Sequence, residues 1–133
     1  SLREGQLLVA QVALTANRSM SEALLTDLLP AGLELENFNL SDPRQWADVR
    51  IDGVSLADRQ DQASLRYEGF LDDRYVAALR LSAGRTARVY YLVRAVSPGN
   101  YNVPPPLVED MYRPQLRGVG KAEPARIEVV QPR

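Results

Sequence analysis

Cysteine and histidine are both missing from the 133 residues, and lysine and tryptophan occur once each, as Lys121 and Trp46. Without a thiol the chain builds no cysteine nucleophile, no thiolate metal site and no thioester of its own. Without an imidazole it lacks the commonest general base and the commonest metal ligand together. The absence of cysteine fits a cytosolic chain, and equally an exported domain that needs no disulfide. Long apolar runs are missing too. None approaches the roughly 20 residues of a membrane-spanning helix, so no direct membrane contact is expected of this unit. Nor is there an excess of one charge. Sixteen basic residues stand against 17 acidic ones, for a net charge of −1, whereas a nucleic-acid partner rewards a clearly basic face. No signal peptide is visible, and a chain that starts at Ser1 rather than Met reads as a piece of a longer protein.

What remains for chemistry is Asp, Glu, Ser, Thr, Tyr, Arg and the one lysine. The adjacent acidic pairs, Asp72–Asp73 and Glu109–Asp110, do not make a carboxylate dyad, because neighbours on a strand face opposite ways. Asp72 and Asp73 read as turn residues bonding their own backbone. Asp58 and Asp61 have the wrong spacing for a calcium loop. There is no phosphate loop, zinc pattern or nucleophile elbow. Lys121 lies in a polar, exposed stretch, where a lysine is not activated. The expectation is a domain that is not an enzyme and binds neither metal nor cofactor. Fifteen of the 16 basic residues are arginine, which a GC-rich coding sequence explains more simply than a set of anion sites.

At 45% hydrophobic and 25% charged residues, the composition is that of one globular domain with a core of its own. In "GQLLVAQVALTA" Leu8, Ala10, Val12 and Leu14 share one parity, as on a strand with one buried face. "EALLTDLLPAGLELEN" reads as strand, Pro-Ala-Gly turn and strand, with Pro30 presetting φ and Gly32 free to adopt a positive φ. Ser41 and Pro43 suit one short helical turn, Trp46 a lid over the core, and Ser55 to Ser64 a polar loop. "SLRYEGF" and "RYVAALRLS" flank a hairpin tipped by Asp72 and Asp73, with Tyr75, Ala77, Leu79 and Leu81 on one face. "RTARVYYLVRAV" is the strongest strand, with Val89, Tyr91, Val93 and Ala95 facing one way and Arg88 and Arg94 the other. "ARIEVV" closes the chain with Ile127 and Val129 inward. Seven or eight short strands and no long helix predict an all-β, antiparallel β-sandwich of macroglobulin-like or Ig-like type over a single domain, 1–133.

One stretch fits none of this. "YNVPPPLVEDMYRPQLRGVG", Tyr101 to Gly120, suits neither a regular helix nor a central strand. Pro104 to Pro106 invite comparison with a polyproline ligand for an aromatic groove, but the strand that follows ties the segment down. A rigid segment has little entropy to lose on docking.

Taken together, "TDLLPAGLELEN" and the later "YYLVRAVSPGNYNVPPPLVEDMYRPQLRGVG" resemble the extreme C-terminal domain of bacterial α2-macroglobulins, over Gly5 to Val130. "AVSPGNYNVPPPLVEDMYRP" is the specific part; Asp42 to Ser64 matches poorly. The resemblance implies a large periplasmic parent in a Gram-negative bacterium, anchored to the inner membrane as a lipoprotein, that traps attacking proteases after a bait region is cut. The domain itself would hold neither bait nor thioester. Its partners would be the neighbouring thioester-type and macroglobulin-like domains, and target proteases through the parent. Within the segment Val108, Glu109, Met111, Tyr112 and Arg113 are the candidates for interdomain docking. Met111 and Tyr112 are the anchors, because methionine and tyrosine make adaptable, amphipathic contacts. The competing reading is an Ig-like repeat of a bacterial adhesin or surface protein, which accounts for "DLLPAGLE" but not for the proline-rich segment.

Overall fold

A computed structural model describes residues 1–36, 50–51, 54–55, 65–113, 115–122 and 124–131. The expectations for Ser41, Pro43, Trp46, Asp58, Asp61 and the polar loop to Ser64 lie outside the described residues.

Every regular element among the described residues is a strand. In chain order they are β1 (Leu2–Arg3), β2 (Leu7–Thr15), β3 (Met20–Leu28), β4 (Leu33–Glu36), β5 (Arg50–Ile51), β6 (Val54–Ser55), β7 (Leu65–Phe70), β8 (Arg74–Leu81), β9 (Thr86–Ala95), β10 (Gly99–Asn102), β11 (Leu107–Asp110), β12 (Arg117–Val119) and β13 (Arg126–Val130). The number exceeds the seven or eight expected because several are pairings of two to four residues, too short for any side-chain period to register.

Two sheets make the sandwich. One has the order β12-β11-β3-β8-β7, the other β2-β9-β4. A small sheet, β1-β13-β10, and the hairpin β5-β6 complete the pairing. All pairs are antiparallel except β1 with β13. The core lies between the two larger sheets. Leu25, Tyr75, Ala77, Leu79 and Val89 are wholly buried there, with Val12, Leu14, Tyr91 and Val93 beside them. These are the inward parities expected of β2, β8 and β9. However, β9 is covered on its other face as well, since Tyr90 and Leu92 are also buried, as suits the middle strand of its sheet.

Two expectations are corrected. The proline-rich segment does contain an interior strand: β11 pairs with β3 on one side and β12 on the other. Its prolines do not interfere, because Pro106 precedes the first paired residue, Leu107, and its carbonyl still accepts from the Gly120 N–H at 2.8 Å. The Pro30–Gly32 turn does join two strands, β3 and β4, which lie in different sheets, but among the described residues the positive-φ glycines are Gly5, Gly84 and Gly99, not Gly32. Gly32 is needed for space instead. A Cβ there would overlap the ring of Tyr101, whose hydroxyl reaches the carbonyls of Ser97 (3.0 Å) and Pro98 (3.1 Å). The Val96 N–H donates to the Gly32 carbonyl at 2.9 Å. The turn and the "SPGNY" stretch, far apart in sequence, therefore lock onto each other.

Candidate functional site

β11 and β12 are joined by a short loop whose order comes from one carboxylate. Asp110 is only 2% exposed. It accepts from the Tyr112 N–H at 2.9 Å and the Arg113 N–H at 3.3 Å, and its other oxygen meets Arg113 Nη2 at 3.2 Å. The aspartate thus bonds the backbone two and three residues on, as aspartate commonly does in turns. The Tyr112 N–H, then the Arg113 backbone and guanidinium, hold the Asp110 carboxyl below its usual range. Backbone bonds close the loop around it: Asp110 N–H to the Leu116 carbonyl (2.9 Å), Leu116 N–H to the Arg113 carbonyl (2.8 Å), and Met111 N–H to the Glu22 carbonyl (3.0 Å).

The loop presents what lies between those ties. Met111 is 42% exposed and Tyr112 75%. Neither fills the domain's own core. Arg113 is half exposed and spends part of its guanidinium on Asp110. Val108 is different: it is partly buried and packs against the core. Glu109 is half-buried in β11, opposite Leu24 and Arg117. The structure therefore gathers Met111, Tyr112 and Arg113 on one tip, held by the Asp110 bonds, and leaves Val108 packed against the core. Asp110, which organises the tip, was not among the candidates. An aspartate just ahead of an irregular, proline-containing stretch is the available signal, and adjacency to Glu109 obscured it.

Two other carboxylates are partly buried, and each meets a core tyrosine. The Tyr91 hydroxyl donates to Asp27 and the Tyr75 hydroxyl to Glu68. Burial raises both carboxyls, and the tyrosine bond offsets part of that rise. Burial, and then the Asp27 charge, push the Tyr91 hydroxyl up as well. The rings of Tyr75 and Tyr91 stack across the sandwich with centroids 4.4 Å apart. This is a structural tie between the sheets. A cleft of about 660 Å³ opens beside it, lined by Asp27, Tyr91, Pro104, Pro106 and Lys121 among largely apolar residues. The acid in its lining, the partly buried Asp27, is already engaged by Tyr91. Among the described residues no group of three acids lies close enough to hold a metal ion. Asp73, at the hairpin tip, pairs with Arg74 at 2.9 Å.

Residues 1–115 match the family model described as the bacterial alpha-2-macroglobulin MG10 domain. The chain is 63% identical over 131 residues to an alpha-2-macroglobulin of Xylella fastidiosa, and 44% identical over 124 residues to that of Escherichia coli. It spans 98% and 92% of itself in those matches but only 8% of either relative. Among solved structures it superposes on the native conformation of the E. coli protein with a TM-score of 0.85 at 41% identity, covering 98% of this chain and 8% of that one. It superposes on the trypsin-activated E. coli protein with a TM-score of 0.82 at 42% identity, covering 99% of this chain and 9% of that one. An E. coli fragment running from domain MG7 to the C-terminus matches with a TM-score of 0.80 at 41% identity, over 99% of this chain and 20% of that one. With its antiparallel sandwich and its "SPGNYNVPPPLVEDMYRP" segment, the chain belongs to the MG10 domain family of bacterial alpha-2-macroglobulins.

Proposed function

We propose that this domain is a non-catalytic C-terminal part of a periplasmic, protease-trapping alpha-2-macroglobulin, and that it packs against the thioester-type domain through the Asp110–Arg113 tip. The parent is anchored to the inner membrane as a lipoprotein and meets target proteases as a whole. The single observation that carries the docking reading is the tip itself. Met111 and Tyr112 stand exposed on backbone that Asp110 already holds in place. A preorganised apolar tip loses little entropy on binding, and tyrosine buries much area with few rotatable bonds. The match to the E. coli fragment that ends at the C-terminus supports the C-terminal position. The similar superpositions on the native and trypsin-activated E. coli proteins support a unit that keeps its fold and moves as a body.

The test is Met111→Ala with Tyr112→Ala in the full-length parent. Loss of a docked tip shifts the uncleaved protein towards its activated mobility on native gels and raises any reactivity it has toward methylamine. If the conformational state and the methylamine reactivity match those of the unaltered parent, the docking reading fails.

A further inference from the structure

β2 lies at an edge of its sheet. The Ala95 N–H donates to the Gln6 carbonyl at 3.0 Å, so these two are a bonded pair. From there the register with β9 runs unbroken from Leu7–Arg94 to Thr15–Thr86. Bonded and non-bonded pairs alternate along an antiparallel ladder. Leu8, Ala10, Val12 and Leu14 therefore direct their backbone groups at β9, and Leu7, Val9, Gln11 and Ala13 turn theirs to the open side. Among the described residues no strand pairs with that side. Nothing in the sequence guards it either. Gln6 to Asn17 holds no charge and no proline, the devices by which exposed edges avoid other strands. The cleft of about 660 Å³ runs along this edge, with Leu8 to Ala13 in its lining.

The first residues aim at the same cleft. β1 runs parallel to β13, with Leu2 beside Val129 and Arg3 beside Val130. The chain then reverses at Glu4–Gly5, where the Gln6 N–H donates to the Arg3 carbonyl at 3.0 Å and Gly5 takes a φ of 89°. Residues ahead of Ser1 that keep the line of β1 pass back along β13 towards Ile127 and Pro124. On their other side they pass along β2, from Leu8 towards Ala13. Leu2, Pro124 and Ile127 line the cleft together with those β2 residues. We infer that the cleft seats the polypeptide immediately upstream of Ser1, which continues β1 as an added strand between β2 and β13. Its backbone satisfies the open groups of β2, and every second side chain enters the apolar interior beside Val12, Leu33 and Val93. The inference rests on the reading of this chain as the late part of a longer polypeptide. It needs neither the tip latch nor any inhibition of proteases.

Two measurements on the full-length parent test it. Amide exchange is followed at Val9, Gln11 and Ala13, in the unaltered parent and in one whose five residues before Ser1 are replaced by proline. An added strand slows exchange in the unaltered parent by at least about tenfold relative to the altered one, since a bonded amide exchanges only when the structure opens locally. Equal rates in the two overturn the inference. Gln11→Cys is then combined with a cysteine at each of the second to fifth positions before Ser1, and disulfide-linked peptides are identified by mass spectrometry. Links within one molecule are expected at alternate positions, because successive strand residues face opposite ways. Links at every position alike, or at none, overturn the inference. So does a link that joins two molecules, because the edge then holds a second copy. A parent that links as expected but traps no protease removes the inhibitor reading and leaves this one standing.

Discussion

A methyl group at residue 32 has nowhere to go, because the Tyr101 ring occupies the space a Cβ would take. Gly32→Ala is expected to cost about 1–3 kcal/mol in a urea melt, the usual range for overpacking. Most of that cost disappears in a Tyr101→Ala background, and a double-mutant cycle reads the coupling directly. A Gly32→Ala domain as stable as the parent sequence sinks this account of the turn. Asp110 makes the second residue-scale case. Its carboxyl is held below the ordinary value of 3.8 by the Tyr112 and Arg113 N–H groups and the Arg113 guanidinium. Such a group contributes stability that is fully present above its unfolded value and is lost as pH falls through the folded one. Asp110→Asn therefore lowers the melting temperature at neutral pH, and the gap to the unaltered domain closes as pH falls below 3.8. A gap independent of pH shows that the charge is not what orders the tip.

Between strands, the Asp27–Tyr91 contact ties the two sheets beside the stacked rings, and the Glu68–Tyr75 contact joins neighbouring strands of one sheet. Their pH dependence has the opposite sign. Burial raises the folded values of Asp27 above 3.8 and of Glu68 above 4.5. Their contribution is complete below the unfolded values and is lost as pH rises through the folded ones. Asp27→Asn keeps an acceptor for Tyr91 without the buried charge, so it is expected to match or exceed the unaltered domain in melting temperature above that window. A lower melting temperature there argues that the ionised pair itself is needed. The main core strands were readable because β2, β8 and β9 are long and keep a strict alternation on the core side. The interior role of β11 was not, since four residues directly after a proline run carry no period and the strand on its other side, β3, comes from distant sequence. The positions of Met111 and Tyr112 in the loop were legible, but not their exposure. The same two residue types fill cores as readily as they cap interfaces, and only the Asp110 bonds decide which way the tip faces.

For the molecule as a whole, the superpositions on native and trypsin-activated E. coli structures carry an expectation for the parent protein. Hydrogen exchange before and after cleavage should leave the amides of β8 and β9 unchanged and alter those between Asp110 and Val119. Loss of protection in β8 and β9 on cleavage shows instead that the sandwich itself opens. The pairing of β2 with β9 has a different consequence, for how fast the sandwich forms. Thr15 and Thr86, hydroxyl to hydroxyl at 2.9 Å, are 71 positions apart, and β1 meets β13 across nearly the whole chain. Contacts so remote in sequence require large loops to close before they return any energy, which slows folding. During synthesis β2 has no partner within its own sheet until the last third of the domain exists. A nine-residue strand then waits with both edges open, and it is in that interval, rather than in the finished domain, that aggregation threatens most.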